Sequence, residues 1–456
     1  MRLSLLERAE RDPSRLALIL GGERIRWGDL RDELRDAHAR ALELRSSEGA
    51  TLDVLVPELD RRTFVRLAAR IELGIPFLAL HPRLSEAERE RLRRRYAGSS
   101  KASGLSSSAP AAAGGDERTL AALMTSGTSG APRAVLLSRR AFEAAAEASA
   151  RHLGWLPEDR WLLCMPPAHV GGLSILIRCW LADRPVVIGS SFFDPEAIVW
   201  SLIRDEVSLA SMVPTMLHAL LEVLERTSLS APPRLRALLL GGAPARAELL
   251  ARASALGLPV LPTYGLTEAC AQVVTAPLDR PLDPGGAIGP VLGSTELRVR
   301  QGEIQLRGPT LMSGYHPADR AEPPLTADGW LRTRDAGALG PGGWLRVQGR
   351  LDAMILTGGE NVHPSVVEAA LCAHPAIDEA LVFGEPDPRW GERVVAALSP
   401  SGPTEPSLEE LRPHLEAHLA THQRPRRLVW LERLPRGPSG KLDRRETIRL
   451  AQRPPE

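Results

Sequence analysis

The chain has 456 residues, 43% of them apolar, with a net charge of +1 at neutral pH. That length exceeds one ordinary domain, and the balanced charge gives no reason to invoke nucleic acid or an anionic membrane surface. The N-terminal MRLSLLERAERD is charged from Glu7 onward, so it lacks the apolar region of a signal peptide. No apolar run approaches transmembrane length. Cys164, Cys179, Cys270 and Cys372 are scattered without metal-ligand spacing and read as buried thiols in a reducing compartment. A cytoplasmic protein without membrane insertion is expected. Only two lysines occur, Lys101 and Lys441; arginine serves everywhere else a long cationic side chain is needed. Lys101 lies in low-complexity sequence. Lys441 does not, and its retention suggests chemistry that needs a compact ammonium rather than a planar fork.

In chain order, residues 30–44 carry apolar spacing near 3.6 and read as a helix. Strand-like 52–56 follows, then helical 61–73, strand 75–80 and an Arg/Glu-rich helix over 85–96 with Ser85 as N-cap and Glu88 closing a capping box. Alternation of this kind implies a mostly parallel sheet covered by helices. Residues 98–118, GSSKASGLSSSAPAAAGGDER, have nothing with which to build a core and read as a mobile linker.

The linker delivers the chain to MTSGTSGAPRAVLLS, residues 124–138. An apolar strand runs into Thr125, Ser126, Gly127, Thr128, Ser129 and Gly130, and a second apolar run returns after Pro132 and Arg133. Glycines let backbone approach a ligand closely. Hydroxyls and backbone N–H groups then line an anion-sized concavity, with Arg133 as a permanent cation at its exit. This is a phosphate loop in the physical sense, although it lacks the Gly-Lys pair and following helix of G-x-x-x-x-G-K-[ST].

The αβ pattern then resumes. A helix over 139–152 precedes a strand over 160–165 that stops at PPAHVGG. Further strands fall at 186–188 and 208–212, and helices at 195–204 and, through Met216, Leu217, Leu220, Leu221 and Leu224, beyond 212. A strand over 235–240 stops at Gly241, Gly242, Ala243 and Pro244, and 260–262 leads into TYGLTE at 263–268. From Gly285 short alternating segments between Gly/Pro turns argue for a small β-rich layer. GWLRTRDAGALGPGGWLRVQG, 329–349, looks like two strands around a tight turn. The last hundred residues read as a separate α+β unit, its helix from Leu408 capped by Ser407 and Glu410 and kinked or delayed by Pro413. The expected boundary lies at Leu351 and Asp352, giving domains 1–351 and 352–456.

Five stretches, MTSGTSGAPRAV, GGAP, TYGLTE, WLRTRDAG with GRLDAMILTGGENVHPSVVE, and GPSGKLDR, stand in an order and spacing that resemble the adenylate-forming superfamily. That superfamily holds acyl-CoA synthetases, peptide-synthetase adenylation domains and luciferase-like enzymes. The resemblance covers essentially the whole chain. It implies an α/β fold, with a large N-terminal domain of layered α/β units and a β-rich portion, a small mobile C-terminal domain, and an active site at their junction. It also implies an acid–thiol ligase working in two half-reactions through an acyl-adenylate, with Mg2+ accompanying ATP and coenzyme A as co-substrate. A small-molecule acid, ATP and coenzyme A are the implied partners; a homo-oligomer is compatible with the sequence.

Carried over residue by residue, the resemblance gives the 125–130 loop to the β- and γ-phosphates, with Arg133 where the family usually has lysine. Thr267 is implied at the α-phosphate and Glu268 at Mg2+. Gly242, Ala243, Pro244, Tyr264 and Gly265 are implied at the adenine, and Asp335 with Arg350 at the ribose; Arg334 stands where the family often has glycine. Asp352 falls at the hinge. Gly358, Gly359 and Glu360 are implied at the pantetheine tunnel, and Trp390 with Arg426 or Arg427 at the nucleotide end of coenzyme A. Lys441 matches the catalytic lysine, and His169 a gate beside the acyl pocket. Among subgroups, TYGLTEACAQVV and LLLGGAPARAELL look most like the o-succinylbenzoate–CoA ligases of menaquinone biosynthesis. Such a ligase needs a partner for the second substrate carboxylate, and the sequence does not single one out. Ligases for fatty or other aryl acids share the nucleotide residues and stay open as alternatives. A peptide-synthetase module is disfavoured because no carrier domain follows Lys441. An inactive nucleotide-binding protein is disfavoured by the joint presence of Glu268, Asp335 and Lys441.

Overall fold

The computed structural model describes residues 4–46, 52–97, 118–125, 133–190, 193–280, 282–283, 286–316, 325–437 and 441–453. The expected linker over 98–118 lies outside these, Arg118 excepted. The chain divides into two compact units. The first comprises residues 1–297, 306–331 and 341–345, and the second 298–305, 332–340 and 346–456.

The first unit is the expected alternation of strand and helix. Its elements are α1 (Leu5–Arg11), β1 (Leu16–Leu20), β2 (Glu23–Arg26), α2 (Trp27–Ser46), β3 (Asp53–Leu55), α3 (Arg61–Leu73), β4 (Phe77–Ala79), α4 (Glu86–Ala97), β5 (Thr119–Thr125) and β6 (Arg133–Ser138). After them come α5 (Arg139–Leu153), β7 (Trp161–Leu163), α6 (Val170–Ala182), β8 (Val186–Ile188), α7 (Pro195–Arg204), β9 (Leu209–Met212), α8 (Pro214–Thr227), β10 (Ala237–Leu240), α9 (Ala247–Ala255), β11 (Val260–Leu266) and β12 (Ala271–Thr275). Helix starts follow local chemistry. Asp60 accepts from the Thr63 N–H at α3, Asp194 from Glu196 and Ala197 at α7, and Ser85 forms the expected capping box with Glu88.

An eight-stranded sheet runs β12-β11-β10-β9-β7-β8-β1-β2. The contacts from β11 through β10, β9, β7 and β8 to β1 are all parallel; β12 and β2 close the edges antiparallel. Leu162, Val187, Ala210, Leu238 and Leu240 pack there against Leu202, Leu217, Leu221 and Leu224 of α7 and α8. Each buried leucine contributes about 2 kcal/mol of hydrophobic stabilisation. A further sheet runs β15-β6-β5-β4-β3, where β15 is Gly314–His316. Helix α6 is apolar on all sides except at Ser174 and Arg178, so it carries no amphipathic stripe and no periodic sequence signal.

Strands β13 (Glu296–Arg300), β14 (Glu303–Arg307), β16 (Leu331–Leu339) and β17 (Leu345–Arg350) form the expected small β layer. Beyond it, β18 (Ile355–Thr357), β19 (Glu360–Val362), α10 (Pro364–Cys372), β20 (Ile377–Asp387), β21 (Gly391–Pro400), α11 (Leu408–His418), β22 (Arg427–Trp430) and α12 (Arg444–Ala451) complete the second unit. Ile355, Val367, Leu371, Val382, Val394, Leu398, Leu411 and Leu415 build its core. Helix α11 starts at Leu408 under the Ser407–Glu410 capping box and runs through Pro413, so the proline does not delay it. Cys164, Cys179 and Cys270 are buried free thiols, whereas Cys372 is part-exposed. No described helix is long and apolar enough to cross a membrane.

Candidate active site

In the first unit, several of the sequence-predicted residues lie at the carboxyl ends of parallel strands of one sheet. Pro166–His169 follows β7, Gly241–Pro244 follows β10, and Thr267 and Glu268 follow β11. Open parallel sheets offer ligand sites along that edge. Close approaches explain the glycines. A Cβ on Gly172 would lie 2.5 Å from the carbonyl oxygens of Met165 and Pro166, and one on Gly241 would lie 2.7 Å from Thr263 Cγ2. At Gly265 it would lie 1.6 Å from the Ala271 oxygen, so the β11–β12 crossing admits no side chain. That crossing presents Thr267–Ala269 as a single 3-10 turn, followed by Cys270 at φ 58° and Ala271 at φ 81°. Two successive non-glycine residues with positive φ store backbone strain at this turn. Gly242, Ala243 and Pro244 form an exposed loop, and Tyr264 is half-buried on β11.

Thr125 ends β5 and pairs with Arg133 at the start of β6. Its Oγ1 donates to the Arg133 carbonyl at 3.4 Å. Ser126, Gly127, Thr128, Ser129 and Gly130 lie outside the described residues. β15 pairs antiparallel with β6 and carries Tyr315, whose hydroxyl donates to Glu268 Oε1 at 2.9 Å. The Arg133 guanidinium stands 5.4 Å from the centroid of the Tyr315 ring. Met312 N–H also donates to the Glu268 carbonyl at 2.8 Å, so both the backbone and the carboxylate of Glu268 are held by the 312–315 segment. Tyr315 was not singled out by the sequence; its partner lies 47 residues away, and no local pattern announces such a bond.

His169 caps α6 without a side-chain cap bond, and its ring centroid lies 4.8 Å from that of His81. His81 is buried and accepts the Arg83 N–H on Nδ1 at 3.0 Å, which places its proton on Nε2. Burial, aided by Arg83 and Arg89, pushes the His81 pKa down to about 4. It is therefore a neutral ring beside His169 at physiological pH.

Arg178 is the second residue the sequence reading passed over. It is the only charge in VGGLSILIRCWLA, it is 5% exposed, and among the described residues its Nε and Nη2 have no hydrogen-bond partner. It lies 5.4 Å from the Trp161 ring centroid. Burial lowers its pKa to about 10, with only the Cys270 and Cys179 thiols opposing the shift. Ser174, one turn earlier on α6, likewise buries an unbonded hydroxyl. A lone arginine inside an otherwise apolar helix was a visible signal, because buried guanidinium groups are normally paired.

The second unit holds the other predicted residues. Asp335 is buried on β16 and accepts from Arg350 Nη1 at 3.1 Å. Arg350 also donates from Nε and Nη2 to the two oxygens of Asp352 at 3.0 and 2.9 Å. Burial opposes the Arg350 charge, but Asp352 and Asp335 outweigh it and hold its pKa above the ordinary arginine value. Arg334, before Asp335, adopts φ 61°, the left-handed region that glycine takes without strain. Its N–H donates to Glu303 Oε1 at 3.1 Å.

Thr357 pairs with Glu360 across β18–β19, leaving Gly358 at φ 59° and Gly359 at φ 84° as a two-residue hairpin turn. A Cβ on Gly358 would lie 3.1 Å from the Trp390 ring. Arg426 covers that ring at 4.1 Å from its centroid, and Arg389 stands at 4.9 Å. Arg427 is instead bonded to Glu385 at 2.9 Å and to the Ala451 carbonyl. Of the two arginines weighed in the sequence, Arg426 is the one beside Trp390. Lys441 is exposed. Gly437 N–H donates to the Lys441 carbonyl at 2.8 Å and Asp443 N–H to the Pro435 carbonyl at 2.8 Å, closing a short loop before α12.

Residues 84–316 match the AMP-binding enzyme family and 366–441 the AMP-binding enzyme C-terminal domain. The 2-succinylbenzoate–CoA ligase of Bacillus cereus (strain ATCC 10987 / NRS 248) is 37% identical over 74% of this chain and 71% of its own length. That of Bacillus subtilis (strain 168) is 36% identical over 72% and 68%. Among solved structures, Bacillus subtilis o-succinylbenzoate CoA synthetase with its acyl-adenylate intermediate is similar at a TM-score of 0.85, 30% identity and 98% coverage of both chains. The same enzyme with ATP and magnesium ion is similar at 0.84 and 29%, over 97% of this chain and 98% of that one.

Proposed function

The chain belongs to the AMP-binding enzymes, and from that membership we propose that it joins 2-succinylbenzoate to coenzyme A at the expense of ATP, a step of menaquinone biosynthesis in the cytoplasm. The acid's succinyl carboxylate attacks the α-phosphorus of ATP, the α–β phosphoanhydride bond breaks and pyrophosphate leaves. The coenzyme A thiol, losing its proton, then attacks the acyl carbon, and the bond to AMP breaks.

Arg178 is the observation that carries the choice of acid. A buried guanidinium with unbonded nitrogens is costly, and a fatty acid, whose one carboxylate is consumed in the reaction, would leave it unpaired. A dicarboxylic aryl acid supplies a second carboxylate to bond it. His169, beside neutral His81, is the proposed gate between acid and thiol.

The 125–130 loop and Arg133 are proposed for the β- and γ-phosphates, Thr267 for the α-phosphate, Gly242–Pro244, Tyr264 and Gly265 for adenine, and Asp335 with Arg350 for the ribose. Glu268 suits Mg2+. Tyr315 bonds Oε1 and Oε2 is the oxygen proposed for the cation; no described cluster of three or more His, Cys, Asp or Glu is present, so phosphate and water would supply the remaining ligands. When bound, the ion neutralises triphosphate charge. Lys441 is proposed to meet the charge that develops between carboxylate and α-phosphate, and Asp352 to be the hinge between domains 1–351 and 352–456. Gly358, Gly359 and Glu360 would line the pantetheine path. The stack of Arg426 on Trp390 supports a role at the coenzyme A nucleotide.

Pyrophosphate release with a panel of acids, with and without coenzyme A, tests the reading. 2-Succinylbenzoate supports release, and its analogue lacking the ring carboxylate does so poorly. Turnover confined to medium-chain fatty acids would remove the aryl-acid assignment, and no turnover with any acid would favour a binding protein.

A further inference from the structure

β15 is a three-residue strand that does more than extend a sheet edge. Its pairing with β6 sets Tyr315 opposite Val135, two residues from Arg133, while the preceding Met312 bonds the Glu268 backbone. One side chain thus meets two groups of opposite charge. The phenol hydroxyl donates to Glu268 Oε1, and the ring face meets the Arg133 guanidinium. A hydrogen bond to a carboxylate fixes which oxygen stays available. A cation over a ring is attracted to the ring face.

We propose that Tyr315 is a positioning residue that locks the carboxylate of Glu268 and the guanidinium of Arg133 into one fixed pair, so that a divalent cation and the triphosphate of ATP bind as a single unit. This rests on the proposed metal role of Glu268. Tyr315 touches neither reacting atom and acts through its two neighbours. Its hydroxyl serves the cation side, and its ring serves the phosphate side.

Equilibrium titration separates these contributions. ATP binding is measured for wild type, Tyr315→Phe, Tyr315→Leu and Glu268→Gln, in Mg2+ and in chelator, with AMP as a ligand that lacks the β- and γ-phosphates. Tyr315→Phe weakens ATP binding in Mg2+ about tenfold, the size of one hydrogen bond to a charged group. It leaves ATP in chelator and AMP unchanged. Tyr315→Leu also weakens ATP in chelator, because Arg133 loses its ring. Wild-type ATP affinity for Tyr315→Phe in Mg2+ overturns the inference, as does an equal loss for AMP, which would mean a general packing role. If Glu268→Gln abolishes the Mg2+ effect while Tyr315→Phe preserves it, the positioning role falls alone. If Glu268→Gln keeps the full Mg2+ effect, the metal assignment falls and takes the positioning role with it.

Discussion

Arg178 in the first unit and Lys441 in the second are both cations proposed to meet a carboxylate, yet their surroundings differ sharply. Arg178 is 5% exposed inside an apolar helix, and burial drives its pKa down to about 10. Lys441 is exposed beside a loop closed by two backbone bonds. A desolvated guanidinium cannot turn away, and it gains most from a permanent partner. A hydrated ammonium loses little by leaving and can serve one step of two. The first arrangement suits selection of an acid, and the second suits acceleration of a reaction.

The largest expected effect tests the exposed side of that contrast. Lys441→Ala slows adenylation at least ~100-fold, the scale of one transition-state electrostatic contact. It leaves thioester formation from supplied acyl-adenylate nearly unchanged. Equal losses in single-turnover assays of both half-reactions would erase the distinction. Next, Arg178→Met raises KM for the aryl acid roughly 10- to 100-fold with little change in kcat, since a ground-state contact is lost. A fall in kcat at unchanged KM would make the two cations alike.

Burial in the first unit also carries a pH signature. His81 has a folded pKa of about 4 against 6.5 for the free group. Between those values the unfolded chain binds more protons, so stability falls as pH drops from 6.5 towards 4. His81→Asn removes that share of the slope in denaturant titrations at neutral and mildly acidic pH; an unaltered slope would mean that His81 is not held neutral. The smallest effect lies in the second unit. Arg334→Gly relieves a left-handed arginine, partly offset by the freer unfolded chain, for a gain of about 0.5–1 kcal/mol in thermal or chemical unfolding. A loss would show that the arginine side chain contributes more than its backbone strain costs.

What the sequence displayed depended on how local each signal was. The loops after β10 and β11 were legible because glycine, hydroxyl and carboxylate types recur within a few residues, and Ser85 and Ser407 announced their helices through capping boxes whose two members stand three positions apart. Helix α6 was not legible, because burial on nearly every side removes the periodicity that marks a helix. Arg178 was visible there as the one charge in an apolar run, but without the helix its burial could not be read. The apolar runs 380–384 and 394–398 read as strands, but β20 and β21 run on to Asp387 and from Gly391, where polar residues give no strand signal. Tyr315 was beyond reach for another reason: its meaning lies in Glu268 and Arg133, which only tertiary pairing brings to it.

Scarcity of lysine has a practical consequence. With Lys101 and Lys441 as the only side-chain amines, amine-selective reagents face two side-chain targets in the whole protein. A fluorophore on Lys441 reports from three residues before α12, and its attachment removes the charge proposed to act in adenylation. Labelling with nucleotide present against labelling without it would then read, in one mass spectrum, whether bound ATP shields that amine.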